Sequence, residues 1–437
     1  TNTAEATELL TPKLLGYVVL LGVLPAILLI RTRLVWRGWK MELLSRMKLF
    51  VTVLVVVSGT VMAFGDFYAS FFRQHKALRA YANPGYYLYS AIKYGGGFFG
   101  RPADAPLTPV AQDVRIPRSD IERELVILVV GETARADRFS LNGYARETTP
   151  QLKQRNVVSF TNFWACGTST AVSVPCMFLL DGKPRSSETD IRTRENLLDV
   201  LRRSGVNVLW LDNNSDSKGV AARAEYRNFK SPAQNPVCDS ECRDEGMLPA
   251  IQPFIDSHPK GDILIVLHQM GNHGPAYYRR YPPAFEKFTP VCRDSDLSRC
   301  TQEEIGNAYD NAILYTDDFL AKAIDVLKRN DERFETILFY VSDHGESLGE
   351  HGLYLHGLPT ALAPDAQLHI PALMWFGENF HDADVSALRK KTAQRFTHTN
   401  VFHTVIGMLE AETAVYQPSL DMLDGTRDGK RGAGKLR

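Results

Sequence analysis

Two uncharged apolar runs stand near the start of the chain, Leu14 to Ile30 and Leu49 to Gly65, each 17 residues long. That is the short end of what spans a bilayer as a helix. Between them Arg31, Arg33, Arg37, Lys40, Arg46 and Lys48 face a single acid, Glu42. The pattern predicts a transmembrane hairpin with its basic loop in the cytoplasm, because cationic loops stay on that side. A buried hairpin in a soluble core would give no reason for six cations between uncharged flanks. Everything after Gly65 is then expected outside the cytoplasm.

From about residue 120 the pattern changes. Short apolar, β-rich runs at 124–130, 206–211, 263–267, 336–341 and 370–376 read as buried strands. Ile313, Leu314, Phe319, Leu320, Ala323, Ile324 and Leu327 recur at helical spacing. Strand and helix alternation predicts an α/β fold, a mostly parallel sheet with helices on both faces. The organisation read from the sequence is a partial transmembrane domain at 1–65, interfacial helices and a linker at 66–119, a large α/β domain at 120–423 and a loose tail at 424–437. The second of these segments is rich in aromatics and cations, among them Tyr86, Tyr87, Tyr89, Arg73 and Lys76, and then in proline. Such a composition after a span suits the lipid headgroup region.

Three of the predicted strands end in side chains that bind metals. The first runs into Glu132, the third into His268 with His273 behind it, and the fourth into Asp343 and His344. Acid and imidazole groups at strand C-termini sit where α/β proteins keep their sites. One metal centre at one sheet edge is the expectation. His268 itself, with His351 and His369, which also lie near strand ends, is read as a supporting or structural group.

Charge adds little: 50 Lys and Arg balance 50 Asp and Glu. No basic excess points to nucleic acid, and none is expected as a partner. The cysteines add more. Cys166/Cys176, Cys238/Cys242 and Cys292/Cys300 form three close pairs. Six cysteines allow 15 pairings; close spacing with turn residues between favours the local ones, in an oxidising compartment. Cys166 and Cys176 also bracket Gly167-Thr168-Ser169-Thr170, a loop that can open a helix and offer amides and a hydroxyl to an anion. A threonine hydroxyl beside a divalent cation can become a nucleophile.

Five motifs occur in order: Gly131-Glu132-Thr133-Ala134-Arg135-Ala136-Asp137, Cys166-Gly167-Thr168-Ser169-Thr170, Asn213-Asn214-Ser215-Asp216-Ser217-Lys218, His268-Gln269-Met270-Gly271-Asn272-His273-Gly274-Pro275 and Ser342-Asp343-His344-Gly345-Glu346. Together they resemble the lipid A phosphoethanolamine transferases, including the mobile colistin-resistance enzymes, within the alkaline phosphatase/sulfatase superfamily. The resemblance covers nearly the whole chain. It implies an alkaline-phosphatase-like α/β/α sandwich in the periplasm, anchored in the bacterial inner membrane, with further spans upstream of Thr1.

The resemblance also implies roles. Thr170 is the nucleophile, and Glu132, Thr170, Asp343 and His344 hold one tight Zn2+, with room for further zinc ions. His273 and His356 hold a second zinc or the substrate phosphate. Asn214, Ser215 and Lys218 bind phosphate, while Thr1 and Glu5 meet the ethanolamine headgroup. Phosphatidylethanolamine is the implied donor, lipid A the acceptor, membrane lipids the surroundings and a monomer the expected state. The implied outcome is resistance to polymyxin and colistin. Rival readings keep the centre and change the reaction: transfer of phosphoethanolamine or glycerol phosphate to another glycan, or a metal-dependent phosphatase. A non-catalytic receptor on the same fold would lack the nucleophile or a ligand, and all are present.

Overall fold

The computed structural model describes residues 16–32, 38–64, 78, 81, 83–97, 106–117, 122–183 and 191–427. Two compact units divide at Phe64 and Gly65. In the first, helix α1 covers Gly16–Arg31 and α2 covers Trp39–Ala63. Of these, α2 is long and apolar enough to cross a membrane. It starts well before the predicted Leu49 and takes in Lys40, Glu42, Arg46 and Lys48, which the hydrophobic pattern put in a loop. Met41, Leu43 and Leu44 are good helix formers, and Arg46 pairs with Glu42 one turn back at 3.1 Å. The cations therefore ride on the helix's first turns.

In the second unit α3 covers Gly85–Gly97 and leaves Tyr87 and Tyr89 exposed. Its sheet is built from β1 (Glu124–Gly131), β2 (Val158–Trp164), β3 (Asn207–Asp212), β4 (Glu225–Asn228), β5 (Ile263–His268) and β6 (Glu335–Ser342), with β7 (Ser347–Leu348) and β8 (Tyr354–Leu355) forming a separate small hairpin; β9 (His369–Phe376) and β10 (Phe396–Thr397) complete it. The order is β10-β2-β9-β6-β1-β5-β3-β4. Only β9 runs against its neighbours β2 and β6. All five sequence-predicted strands are present, and β2, β4 and β10 add to them.

Burial on both faces explains the continuous apolar runs. Val126, Leu128 and Val130 point into one core, with α4 (Thr170–Phe178), α5 (Leu197–Ser204) and the later helix Thr399–Met408. Leu125, Ile127 and Val129 point into the other, under α6 (Gln302–Lys328). That last helix of the first face is α7.

Two boundaries differ from the sequence reading. The proline-rich stretch expected as a linker is docked on the α/β unit over 108–115: Thr108 N–H donates to Thr193 O at 2.9 Å, and Ala111 and Val114 are buried in the first core. Proline hid the two apolar side chains that anchor it. The expected tail begins later than 424, since Thr426 is buried and Arg427 pairs with Asp421 at 3.0 Å.

Candidate metal centre and nucleophile loop

Strand register builds the centre. Gly131 and Ser342 are partners on parallel strands β1 and β6, so the next residues, Glu132 and Asp343, leave the sheet side by side. Asp343 N–H continues the ladder to Gly131 O at 2.9 Å. His344 follows, and the donor atoms of Glu132, Asp343 and His344 lie within 4.8 Å of one another. His344 Nε2 is 3.6 Å from Glu132 Oε1 and 3.3 Å from Asp343 Oδ2. All three side chains are buried.

The loop at 167–170, which follows β2, meets them. Cys166 is disulfide-bonded to Cys176 within α4, as Cys238 is to Cys242 and Cys292 to Cys300. Helix α4 starts at Thr170, whose hydroxyl donates to Glu132 Oε2 at 3.1 Å. Its neighbours are engaged elsewhere or uncapped: Thr168 Oγ1 donates to Leu358 O at 2.6 Å, and the Ser169 side chain makes no cap bond. A helix N-terminus beside the hydroxyl adds partial positive charge for a phosphate.

Electrostatics favour a cation here. Burial drives the Asp343 carboxyl well above the usual range and the charge of Glu132 adds to it. Burial also pushes Glu132 up, but the imidazoles of His273, His344 and His356 outweigh it and hold that carboxyl low. Among the described residues, Asp343 Oδ2 and His344 Nε2 are buried, lie 3.3 Å apart and make no hydrogen bond. Native interiors seldom leave such atoms bare, and two carboxylate groups, one imidazole and a hydroxyl are a donor set that zinc accepts.

His356 and His273 are drawn into the same place. The His356 ring lies 4.2 Å from that of His344 and 5.7 Å from that of His273, and His356 Nδ1 is 3.1 Å from Glu346 Oε1. Asn214 Nδ2 donates to Glu132 Oε2 and to Gln269 O, each at 2.6 Å. Lys218 stands further out, its ammonium held by the Ser215 hydroxyl at 2.7 Å and the Ser215 carbonyl. Thr1 and Glu5 lie outside the described residues. His369 stacks on Trp164 and His351 is exposed.

Sequence reasoning named His268 but missed the supports Asp212 and His398. Asp212 and His268 form a buried pair at 2.8 Å, and Asp212 Oδ1 accepts the amides of Asn214 and Asp216. Burial would lower the His268 imidazole, yet the bond to Asp212 raises it. The signal existed, since β3 also ends in an acid. His398 gave none: burial pushes it down to about 4, and its neutral ring accepts from Cys166 N at 3.2 Å and holds Ser342 O at 2.9 Å.

This fold, with acids and imidazole at the carboxyl edge of a mostly parallel sheet, is that of the sulfatase and alkaline phosphatase superfamily, and the sulfatase family model matches residues 124–411. A second model, described as phosphoethanolamine transferase EptA/EptB, matches residues 1–97. The chain is 45% identical over 387 residues to phosphatidylethanolamine transferase Mcr-1 of Escherichia coli, covering 86% of this chain and 71% of that one. It superposes with a TM-score of 0.74 and 37% identity on the integral membrane protein lipooligosaccharide phosphoethanolamine transferase A of Neisseria meningitidis, over 98% of this chain and 81% of the other. The chain belongs to the phosphoethanolamine transferase family. A more distant relative in fold, the periplasmic domain of EptC from Escherichia coli, was solved in complex with zinc, at 24% identity and TM-score 0.58 over 73% of this chain and 90% of that one.

Proposed function

We propose that the protein moves phosphoethanolamine from phosphatidylethanolamine to a lipid A phosphate through a covalent adduct on Thr170. The observation that carries this is the Thr170 hydroxyl resting on Glu132 at 3.1 Å, beside the buried Asp343 Oδ2 and His344 Nε2, which make no hydrogen bond among the described residues. Glu132, Thr170, Asp343 and His344 would hold one zinc, which when bound supplies a lower hydroxyl pKa and neutralises phosphoryl charge. Further zinc could be held by His273 and His356.

The residues divide the work. Glu132 accepts the hydrogen of Thr170 and leaves the oxygen lone pairs facing the site. In the first displacement the Thr170 oxygen bonds to phosphorus, and the bond from phosphorus to the glycerol oxygen breaks. His273 or His356 gives that oxygen a proton, and diacylglycerol leaves. In the second, a phosphate oxygen of lipid A bonds to phosphorus and the bond from phosphorus to the Thr170 oxygen breaks; that oxygen takes back its proton from Glu132, and the imidazole that protonated diacylglycerol takes up the proton of the lipid A phosphate. Two in-line steps give net retention at phosphorus. Asn214, Ser215 and Lys218 bind the donor phosphate, and Thr1 and Glu5 the ethanolamine. The added amine offsets negative charge on lipid A, which weakens attraction for cationic polymyxin and colistin. The α/β unit works in the periplasm and the apolar helices anchor it in the inner membrane.

The test is order of release. Wild-type protein mixed with phosphatidylethanolamine should release diacylglycerol before acceptor is added and carry phosphoethanolamine on Thr170. Thr170→Ala should abolish both with the fold intact, and Thr170→Ser should keep part of the activity. An adduct on Thr168 or Ser169 would overturn the assignment. Diacylglycerol and free phosphoethanolamine with no acceptor modified would point to hydrolysis instead, and unmodified lipid A beside a modified glycan would change the acceptor.

A further inference from the structure

We propose that Thr133 is a positioning residue whose amide and hydroxyl together spread Glu132 and Asp343 into the arrangement that a zinc ion needs. The inference rests on the zinc reading above. Thr133 follows Glu132, is fully buried and has φ +59°. A β-branched residue is out of place in that region, because its Cβ crowds the following carbonyl. Such a conformation lasts only where its surroundings enforce it.

Every polar group of Thr133 is used. Its N–H donates to Asp343 Oδ1 at 3.0 Å, its hydroxyl donates to Glu132 Oε1 at 2.6 Å, and its carbonyl accepts from the Tyr309 hydroxyl at 2.6 Å. The next amide, of Ala134, donates to Ser342 Oγ at 2.9 Å. The left-handed turn thus folds the chain back from β1 over the end of β6. His344 N–H also donates to Asp343 Oδ1, at 2.7 Å, so that oxygen carries two donors while Oδ2 carries none. Asp343 is held by one oxygen with the other presented to the cluster. On Glu132, Thr133 holds Oε1 while Thr170 and Asn214 reach Oε2. One strained residue therefore touches both carboxylates of the site, and each through a different donor.

A purely space-filling threonine would behave differently on substitution. Thr133→Val keeps the shape, the branching and the amide but removes the hydroxyl. Thr133→Ser keeps both donors. The full chain, stripped of metal, would be titrated with zinc against a chromophoric chelator. The valine variant should bind zinc about 10–100-fold more weakly, the range for losing an outer partner of a metal ligand. The serine variant should stay within about threefold of wild type by the same measure. Valine binding zinc as tightly as wild type would overturn the proposal. If the valine chain does not fold, serine decides: wild-type affinity supports the role, and a folded serine variant tenfold weaker would overturn it. A wild-type chain that takes up no zinc would instead bring down the metal reading on which this rests.

Discussion

Two buried aspartates in the same unit have opposite surroundings. Asp310, on α6, is fully buried, and both of its oxygens are taken: Arg138 reaches Oδ1 at 3.3 Å, while Arg146 at 3.0 Å and the Tyr144 hydroxyl at 2.8 Å reach Oδ2. Asp343 is equally buried, but among the described residues no arginine or lysine pairs with it, the like-charged Glu132 pushes its carboxyl up, and Oδ2, 3.3 Å from His344 Nε2, makes no hydrogen bond. Burial lifts both carboxyls above their ordinary range. The arginines oppose the lift at Asp310, whereas Glu132 adds to it at Asp343. A buried acid is therefore no sign of a site by itself. An acid set beside a second acid, with one oxygen that makes no hydrogen bond next to an imidazole, is one.

Removing each acid should separate the two kinds. Asp343→Ala takes away a ligand of the proposed zinc site, and the loss should exceed the roughly 10–100-fold cost of an outer partner. Zinc measured by atomic absorption and turnover of phosphatidylethanolamine should both vanish, while the metal-free protein unfolds no earlier than wild type. Retained zinc would erase the contrast. Asp310→Ala should do the reverse. It leaves two part-exposed arginines and the Tyr144 hydroxyl without their acceptor and should cost about 1–3 kcal/mol in denaturant unfolding, the range for leaving hydrogen-bonding groups unsatisfied. Zinc per folded molecule should not change. Loss of zinc with unchanged stability would make Asp310 part of the centre.

A third buried acid sharpens the same point through pH. Asp317 accepts from the amides of Gln151 and Leu152, at 2.9 Å each, at the start of the short helix Pro150–Gln154. Burial outweighs these two bonds and pushes its carboxyl up to about 7. The folded value lies above the unfolded one, so the folded chain holds this proton more tightly. Its contribution to stability is full below about pH 4 and is lost as pH rises through about 7. Between about pH 5 and 8 the metal-free chain should lose about 2–3 kcal/mol from this group. Urea unfolding at both values, repeated with Asp317→Asn, tests it: the variant should flatten the slope. A slope of the opposite sign would mean that the capped helix, and not burial, governs the group.

The same contrast explains what was legible in the sequence. Runs such as Glu124-Leu125-Val126-Ile127-Leu128-Val129-Val130 read as strands because both faces of a central parallel strand are buried, and the ligands at their ends came with them. Strand β2, Val-Ser-Phe-Thr-Asn-Phe-Trp, alternates buried and open positions with polar residues between, and was not read as a strand. Edge strands β4 and β10 have four and two residues, too few for a periodic signal. In the site, Glu132, Thr170, Asp343 and His344 could be read from motifs, whereas the neutral clamp His398 arrives from 54 residues beyond His344 by folding alone. Thr133 lay inside a quoted motif, but a positive φ leaves no mark on residue type.

The smallest effect belongs to Lys218, which extends the comparison from buried charge to charge at the rim. The lysine is half-buried, and its ammonium already rests on Ser215 at 2.7 Å. A point charge near water gains little from a partner, because solvent screens it. If Lys218 meets the donor phosphate, it does so as substrate binds and with a charge that the ground state and transition state feel alike. Lys218→Ala should then raise KM for phosphatidylethanolamine about tenfold and leave kcat within about twofold, the signature of uniform binding. Zinc content and unfolding should match wild type. A fall in kcat of a hundredfold with KM unchanged would move Lys218 into the group that acts on the transferring phosphoryl, and the rim would no longer differ from the centre.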